Sequence, residues 1–392
     1  MKLASMIQLI KKLSEQGDYK LTETIKLLLY KKNENIFENL DFENEVIYRE
    51  PFLYTYFNTD DSVKLNSLLF EFLENRTIEM KTDNNGRFYI PWKGWFTTGL
   101  IEKEIILTKP DYNVFHNNQK VACFIENINY VNDTNIEILK YPLSFLEPFF
   151  TDVESNVVEV EIENITRLQE NNLVKAYHII KKYNPFFFEL IERYAFKCVI
   201  FNTDFINKNS FAHPSIHGAV FYNAYQEDYD EIFFIDDISH QSAHVILTTL
   251  LFSNDNFFKI AKETCLQEVL TGKNIDIIEN RTLEIVYHAL FTYYFIFDNL
   301  DKVFTSASLS QRQRNEIIGR ISLYILKCQN DFFLLDSLFD DLKDIFHEDA
   351  LTIYYEMKKK FLETKNKYSD EFDFMDHPYN FTYKKFIEKN YI

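Results

Sequence analysis

Glycine, proline and cysteine are scarce in this chain, and each shortage argues against a class of protein. Its 392 residues include 7 glycines, 8 prolines and 4 cysteines. No glycine-rich phosphate loop of the GxGxxG or GxxxxGK[ST] type occurs, so the usual signatures of nucleotide-dependent function are absent. The cysteines form no CxxC pair, which argues against a thiolate zinc knuckle or a disulfide framework and favours a reducing cytoplasm; they are Cys123, Cys198, Cys265 and Cys328.

Long apolar runs and positive charge are also in short supply. The N-terminal sequence MKLASMIQLIKKLSEQGD is too polar for a signal peptide, and no apolar run reaches the length of a membrane span. The 60 acidic residues outnumber the 42 basic ones, and the formal charge of −18 repels phosphate backbones and anionic lipid surfaces. We therefore expect a cytoplasmic protein that binds neither nucleic acid nor membranes.

Aromatic and aliphatic residues, by contrast, are plentiful enough to build a large core. The chain has 39 Phe and 25 Tyr, and 46% of its residues are hydrophobic. Apolar residues recur at helical spacing over the first 80 or so positions, short β-prone runs separated by Asn, Asp, Gly and Pro follow between Thr82 and Pro142, and helical patterns cover Thr282 to Lys367. The sequence therefore predicts a mainly helical α+β protein, with a small antiparallel sheet in the N-terminal half and a boundary near residue 150, which separates 1–150 from 151–392.

The histidines are concentrated in the middle of the chain. Five of the nine lie within one stretch: His213, His217, His240, His244 and His288. DDISHQSAHVILTTLLF reads as a helix, on which Asp236, His240 and His244 are four residues apart and share one face. Alternatively, His240 and His244 are ordinary polar residues on a half-buried helix. However, the helix continues into the apolar segment VILTTLLF, which indicates that this face is buried, and burying imidazoles without a bound ion or a hydrogen-bond partner costs free energy. We therefore predict a metal site here, with His213 and His217 as candidate substrate contacts.

A third metal ligand must come from outside this helix. His288, in RTLEIVYHALFTYYFIF, is the best candidate. Arg281 precedes it by two helical turns, so both side chains are expected to point to one cavity, where an arginine suggests an anionic cosubstrate. A salt bridge from Arg281 to Glu279 or Glu284 is an equally good interpretation of the spacing.

The residue after the first ligand histidine argues against a peptidase. In HExxH zinc peptidases a glutamate takes a proton from metal-bound water, whereas this chain has Gln241, whose amide is no base at neutral pH. A zinc site with Glu263 or Glu268 as third ligand remains an alternative. A mononuclear iron site needs only three ligands on one face and open positions for a 2-oxo acid and oxygen. Arg281 would then hold the far carboxylate of 2-oxoglutarate.

Several stretches together resemble the HExxH-type 2-oxoglutarate- and Fe(II)-dependent peptide β-hydroxylases that modify ribosomally made peptides. LVKAYHIIKKYNPFFFELIERYAFKCVIF is similar to the segment before the family's site. HGAVFYNAYQEDYDEIFFIDDISHQSAH resembles its glycine-containing strand and the acidic residue before the first ligand, and RTLEIVYHALFTYYFIF resembles its Arg-and-His helix. The resemblance extends over about Asn164 to Asp298.

The resemblance implies a role for each matching position. His240, His244 and His288 would bind Fe(II), Arg281 would bind 2-oxoglutarate, and Asp236 would orient a ligand histidine. The reaction would be hydroxylation of a side-chain carbon in a precursor peptide. Residues 1–150, which carry no catalytic motif, would then be a candidate platform for that peptide.

The motif departs from the family at Gln241, which we expect to lie beside the ligands rather than on the metal. If the family's glutamate is needed for turnover, two alternatives gain weight. One is a relative of zinc peptidases, and the other is a non-catalytic peptide-binding protein with a structural metal.

Overall fold

The structure is a computed structural model, and it describes residues 3–58, 64–74, 76–253, 257–270, 279–339, 341–368, 372–374 and 380–391. The chain is a mainly helical α+β protein, as the sequence predicts. No helix in the described ranges has both the length and the apolar character that a membrane crossing requires. The chain forms two compact units, a helical unit of residues 1–18, 169–194 and 226–392 and a β-rich unit of residues 19–168 and 195–225. Each unit draws residues from both sides of residue 150.

The β-rich unit combines short helices with three small sheets. Helix α1 (Leu3–Lys32) enters it, followed by α2 (Glu45–Tyr48), α3 (Pro51–Asn58) and α4 (Leu65–Leu68). Its strands are β1 (Thr77–Lys81), β2 (Arg87–Ile90), β3 (Gly94–Thr97), β4 (Glu104–Thr108), β5 (Asn113–His116), β6 (Gln119–Val121), β7 (Phe124–Asn127), β8 (Glu137–Leu139), β9 (Lys197–Phe201), β10 (Phe211–Ala212) and β11 (Ala219–Asn223).

The sheets confirm the predicted antiparallel pairing for the strands from β2 to β7, whereas β8, which lies in the same predicted region, pairs parallel with β9. Strands in the order β1-β4-β5-β6 and β2-β3-β7 pair antiparallel throughout. The third sheet, in the order β10-β11-β9-β8, is mixed, because β9 pairs parallel with both β8 and β11. Buried Ile105 and Leu107 alternate with more exposed residues along β4, as expected for a strand with one face against a core.

The alternating apolar run VVEVEIENI, at residues 157–165, predicts a further strand, and this prediction is wrong. Only single bridges occur there, from Thr151 to Val157 and from Glu161 to Asn202, and helix α5 (Glu163–Tyr183) begins within the predicted strand. The Glu161 carboxylate explains this start, because it accepts hydrogen bonds from the backbone N–H groups of Asn164 and Ile165 at 2.6 and 2.8 Å. These are donors that a helix start leaves without backbone partners.

A buried ionic cluster lies in the core of the β-rich unit. The Lys197 ammonium is 2.6 Å from the Glu137 carboxylate and 3.4 Å from that of Glu50. The Tyr89 hydroxyl donates to the other oxygen of Glu137. Burial raises the pKa of Glu50, opposed by the charge of Lys197. Lys197 therefore holds two buried carboxylates in place.

Helices make up the helical unit. After α5 come α6 (Pro185–Tyr194), α7 (Glu231–Ser253), α8 (Leu266–Leu270), α9 (Leu283–Ser306), α10 (Gln311–Leu338), α11 (Glu348–Tyr368) and α12 (Tyr383–Asn390). Ser310 begins α10 with a capping box that includes Gln313. The predicted helices over DDISHQSAHVILTTLLF and from Thr282 to Lys367 are thus confirmed within the described residues.

Polar contacts and one glycine fix the position of α7. The Asn299 amide of α9 donates to the Ser239 hydroxyl of α7 at 2.8 Å, and its oxygen accepts from Asn184 at 2.8 Å. On another side, Gly17 of α1 packs against the backbone of Thr249 so closely that a Cβ atom there would overlap the Thr249 carbonyl. The helix that carries His240 and His244 is therefore held by α9 and by α1.

Candidate metal centre

Helix α7 is buried along most of its length, with one partly exposed stripe. Between Ile232 and Leu250 every residue is buried except His240, His244 and Thr248. These three are spaced by four residues and share one face of the helix. The part of this stretch that is not fully buried therefore carries two imidazoles and one hydroxyl.

The structure brings the three predicted ligand histidines together. The His244 ring centroid lies 5.0 Å from that of His240 and 5.5 Å from that of His288, and in each pair the rings are roughly stacked. His244 Nδ1 and His288 Nδ1 are 3.3 Å apart, although 44 positions separate the residues in sequence. The packing of α7 against α9 creates this proximity.

The distance between the two nitrogens suits a shared metal ion. Two imidazole nitrogens on one ion, each at about 2.1 Å with an angle between tetrahedral and right, are about 3.0–3.4 Å apart. His244 and His288 meet this distance criterion, and in the absence of an ion the same 3.3 Å separation is a hydrogen bond between the two rings. Within the described ranges, no set of three or more His, Cys, Asp or Glu side chains is already arranged to hold a metal. A third protein ligand from His240 therefore requires its ring to turn toward the pair.

The electrostatic environment keeps these imidazoles uncharged. Burial is the largest cause in each case: it lowers the pKa of His240 well below its usual range, that of His244 to about 3 and that of His288 to about 4. The neighbouring histidine and the charge of Lys327 lower the pKa of His240 further. Neutral imidazole is the form that binds metals, so no proton has to be displaced near neutral pH.

Asp236 is paired with an arginine in the structure. Its Oδ2 accepts a hydrogen bond from Arg320 at 2.7 Å, and the same guanidinium donates to Glu316 at 2.9 and 3.0 Å. Its other oxygen, Oδ1, is buried without a hydrogen-bond partner in the described structure. Burial raises the pKa of Asp236, whereas Arg320 and the Tyr324 hydroxyl favour its charged form. The carboxylate therefore anchors α7 to α10 one turn before His240.

Gln241 points to another side chain of its own helix. Its amide donates to Asp237 at 3.2 Å, and both residues are buried. The position that carries glutamate in HExxH peptidases thus holds an amide with a structural contact. It supplies no general base.

Arg281 lies before helix α9 rather than in it. Thr282 is the N-cap, and its side chain accepts from the backbone N–H of Ile285. The expectation that Arg281 and His288 share a helix is therefore wrong. The guanidinium donates to Glu279 at 2.7 and 2.9 Å and to buried Asp331 of α10 at 2.7 Å. The Glu279 salt bridge, one of the two interpretations of the sequence, is present.

His213 and His217 belong to the β-rich unit and have local contacts there. His213 Nδ1 accepts from the backbone N–H of Ser215 at 3.1 Å, and its ring packs edge-on against Phe149. His217 is buried beside Tyr54, and burial lowers its pKa to about 4. These contacts give both residues a structural role; a contact with substrate stays a prediction.

Sequence reasoning missed two residues of α10 beside the cluster. The Tyr324 ring is edge-on to His240 at 6.3 Å, and the Lys327 ammonium lies 5.4 Å from the Tyr324 ring centroid. Burial lowers the pKa of Lys327 to about 8, opposed by Asp236 and Asp331. A signal was available in the spacing. Arg320, Tyr324, Lys327 and Asp331 follow one another at intervals of four, three and four residues, which places them on one face of α10.

Comparisons with known proteins do not extend this picture. No family model matches the chain, and no characterised protein is significantly similar to it. The function must therefore be argued from the site itself.

Proposed function

We propose that this chain is an Fe(II)- and 2-oxoglutarate-dependent oxygenase that hydroxylates a side-chain carbon of a ribosomally made peptide. The observation that carries the proposal is the 3.3 Å separation of His244 Nδ1 and His288 Nδ1 at the partly exposed stripe of an otherwise buried helix. His240 stacks against His244 and supplies the candidate third nitrogen. When bound, iron would supply the oxidising chemistry, for which three protein ligands leave open positions.

The protein's own residues would bind and orient rather than act as acids or bases. The uncharged imidazoles hold the ion without releasing protons. The Asp236 to Arg320 pair and the Ser239 to Asn299 hydrogen bond fix the helix on which two of the ligands lie. Because Gln241 offers no base, the site supports an oxygenase better than a hydrolase.

Metal and cosubstrate binding test the proposal directly. We expect the purified full chain, handled anaerobically, to bind about one Fe(II) and to develop a visible metal-to-ligand absorption band with 2-oxoglutarate. His244→Ala and His288→Ala should each abolish the band. His178→Ala is the matched control, because His178 is an exposed histidine of α5 and should leave the band unchanged.

The alternatives give different results in the same experiment. A zinc-dependent relative of peptidases would bind Zn(II) tightly and show no band with iron and 2-oxoglutarate. A binding protein with a structural metal would lose folding stability on chelation without any turnover. Absence of both iron binding and the band overturns the oxygenase proposal.

The peptide substrate requires a separate assay. We expect a short peptide encoded beside the gene to gain the mass of one oxygen atom when incubated with the chain, Fe(II), 2-oxoglutarate and oxygen. The same incubation with the His288→Ala variant should leave the mass unchanged. None of the four cysteines, all of which lie in the described residues, forms a disulfide, which is compatible with a cytoplasmic location for this activity.

A further inference from the structure

The buried ionic cluster of the β-rich unit holds an amine against a carboxyl group. Lys197 and Glu137 lie directly opposite each other in the parallel pair of β9 and β8, so their side chains share one face of the sheet. The Lys197 ammonium donates to Glu137 Oε2 at 2.6 Å. An amine hydrogen-bonded to one carboxylate oxygen lies about 3–3.5 Å from the carboxyl carbon, which is the distance from which attack on that carbon begins. A nucleophile and an electrophile are therefore in place.

Glu50 is the group that can move protons in this cluster. Its Oε1 is 3.4 Å from the Lys197 ammonium, and its Oε2 is buried without a hydrogen-bond partner among the residues that the structure describes. Two ionised carboxylates beside one ammonium would leave a net negative charge in the interior, so one protonated carboxyl group is favoured. Burial accordingly raises the pKa of Glu50, opposed by the charge of Lys197. A buried carboxyl group of this kind can give a proton and take one back.

Tyr89 and Phe52 complete the surroundings of the reacting groups. The Tyr89 hydroxyl donates to Glu137 Oε1, the oxygen that does not accept from Lys197. A donor at this oxygen stabilises the negative charge that develops there when nitrogen adds to the carboxyl carbon. The Lys197 ammonium also lies 4.7 Å from the centroid of the buried Phe52 ring. An apolar environment excludes water, which would otherwise favour hydrolysis.

We propose that Lys197 and Glu137 condense to an intramolecular isopeptide bond, with Glu50 as the proton carrier. The ammonium first passes one proton to Glu137, which gives a neutral amine beside a carboxylic acid. The Nζ–Cδ bond then forms, Glu50 gives a proton to the departing hydroxyl and takes one from nitrogen, and the Cδ–O bond breaks. The products are an amide and one water molecule, and Glu50 ends as it began. The bond removes two charges from the interior, where ions are costly, and this favours condensation.

The bond would join two strands that are far apart in the chain. Lys197 and Glu137 are 60 positions apart, and residues 169–194 between them belong to the helical unit. The bond would therefore fasten β8 to β9 on either side of that excursion of the chain. It would persist when the chain unfolds, and a covalent link lowers the conformational entropy that unfolding gains.

Mass spectrometry of the denatured full chain tests the proposal. We expect an intact mass that is lower than the mass of the sequence by one water molecule. Trypsin does not cleave after an acylated lysine, so the digest should contain residues 194–208 joined to residues 121–140. Fragmentation of this branched peptide should place the link at Lys197 and Glu137. A wild-type mass equal to that of the sequence overturns the proposal.

Two variants identify the reacting groups. Lys197→Arg keeps the positive charge but should retain the water, because a guanidinium stays protonated and is no nucleophile. Glu50→Gln keeps the size of the side chain but cannot carry a proton, and we expect the cross-linked fraction to fall about tenfold or more. The fluorescence of Trp92 and Trp95 checks that each variant is folded, and Glu50→Gln remains informative should Lys197→Arg fold poorly. A Lys197→Arg chain that lacks a water, or a Glu50→Gln chain as fully cross-linked as the wild type, contradicts the assignment.

Lys140 and Glu126 provide a matched control within the same unit. The Lys140 ammonium donates to Glu126 at 2.8 Å, and the Tyr141 hydroxyl donates to the other carboxylate oxygen at 3.0 Å. The donors are thus the same as in the buried cluster, but the two side chains are 29% and 28% exposed, so water stabilises the ion pair. We expect Lys140→Arg to show the same loss of one water as the wild type. A mass restored to the full value in this variant would place the bond at Lys140 and overturn the assignment to Lys197.

Discussion

Replacing Gly17 by alanine would test how the helix of the candidate metal site is supported. Gly17 lies inside helix α1, where it is buried against the backbone of Thr249 on α7. A Cβ atom at this position would overlap the Thr249 carbonyl oxygen and would lie 2.7 Å from the carbonyl carbon. Because the obstacle is backbone rather than the end of a flexible side chain, one of the two helices has to move.

Two effects of opposite sign decide the outcome. In a helix interior, alanine is normally more favourable than glycine by about 1 kcal/mol, so propensity alone predicts stabilisation. Overpacking a well-packed contact costs about 1–3 kcal/mol, and a rigid backbone obstacle places this site at the upper end of that range or above it. We therefore expect Gly17→Ala to lower the free energy of unfolding of the helical unit by about 2 kcal/mol or more, the overpacking cost less the gain in helix propensity.

Circular dichroism in the far ultraviolet is the suitable assay. Both tryptophans, Trp92 and Trp95, lie in the β-rich unit, so their fluorescence reports less on the helical unit than the helical signal does. The urea midpoint of Gly17→Ala should fall, whereas the free energy of unfolding of Gln16→Ala, an exposed neighbour on the same helix, should change by no more than about 0.5 kcal/mol. A midpoint of Gly17→Ala equal to or above that of the wild type would refute the close approach of α1 and α7.

Two further predictions concern the β-rich unit. Lys197→Met should lower its free energy of unfolding by about 3–5 kcal/mol, since it leaves Glu50 and Glu137 buried without their cation, and Glu50→Gln added to it should restore part of the loss in tryptophan-detected urea unfolding. A single loss below about 1 kcal/mol would contradict this. The pKa of His217 is about 4 in the folded state, so the unfolded chain binds the proton first, and stability present above pH 6.5 should be lost as the pH falls toward 4. In His217→Phe, the fall in the free energy of unfolding between pH 6.5 and 4 should be smaller than in the wild type by roughly 3 kcal/mol. A dependence of the free energy of unfolding on pH equal to that of the wild type would refute this prediction.

The helices and the sheet region could be predicted because their signals are local. Apolar spacing identified α7, and β-prone runs between turn residues identified the antiparallel strands. The failures are also local in origin. The Glu161 carboxylate accepts backbone N–H groups of the first turn of α5, and the Thr282 side chain does the same for α9. In both places these hydrogen bonds decide where the helix begins, whatever the apolar pattern around it indicates.

The candidate site could be predicted only in part, because it depends on packing between helices. Four-residue spacing places His240 and His244 on one face, but nothing in the sequence measures the distance from His244 to His288. That distance follows from the contact of α7 with α9. The partners of Arg281 show the same limit, since Glu279 is a sequence neighbour whereas Asp331 lies 50 residues away on α10.

X-ray absorption spectroscopy of the anaerobic Fe(II)-loaded chain tests the central claim most directly. The account predicts one ion with two or three imidazole nitrogens at about 2.1 Å, and the loss of one imidazole in His288→Ala but of none in the exposed His178→Ala control. A spectrum without imidazole scattering, or one that His288→Ala leaves unchanged, would contradict a metal centre built on His244 and His288.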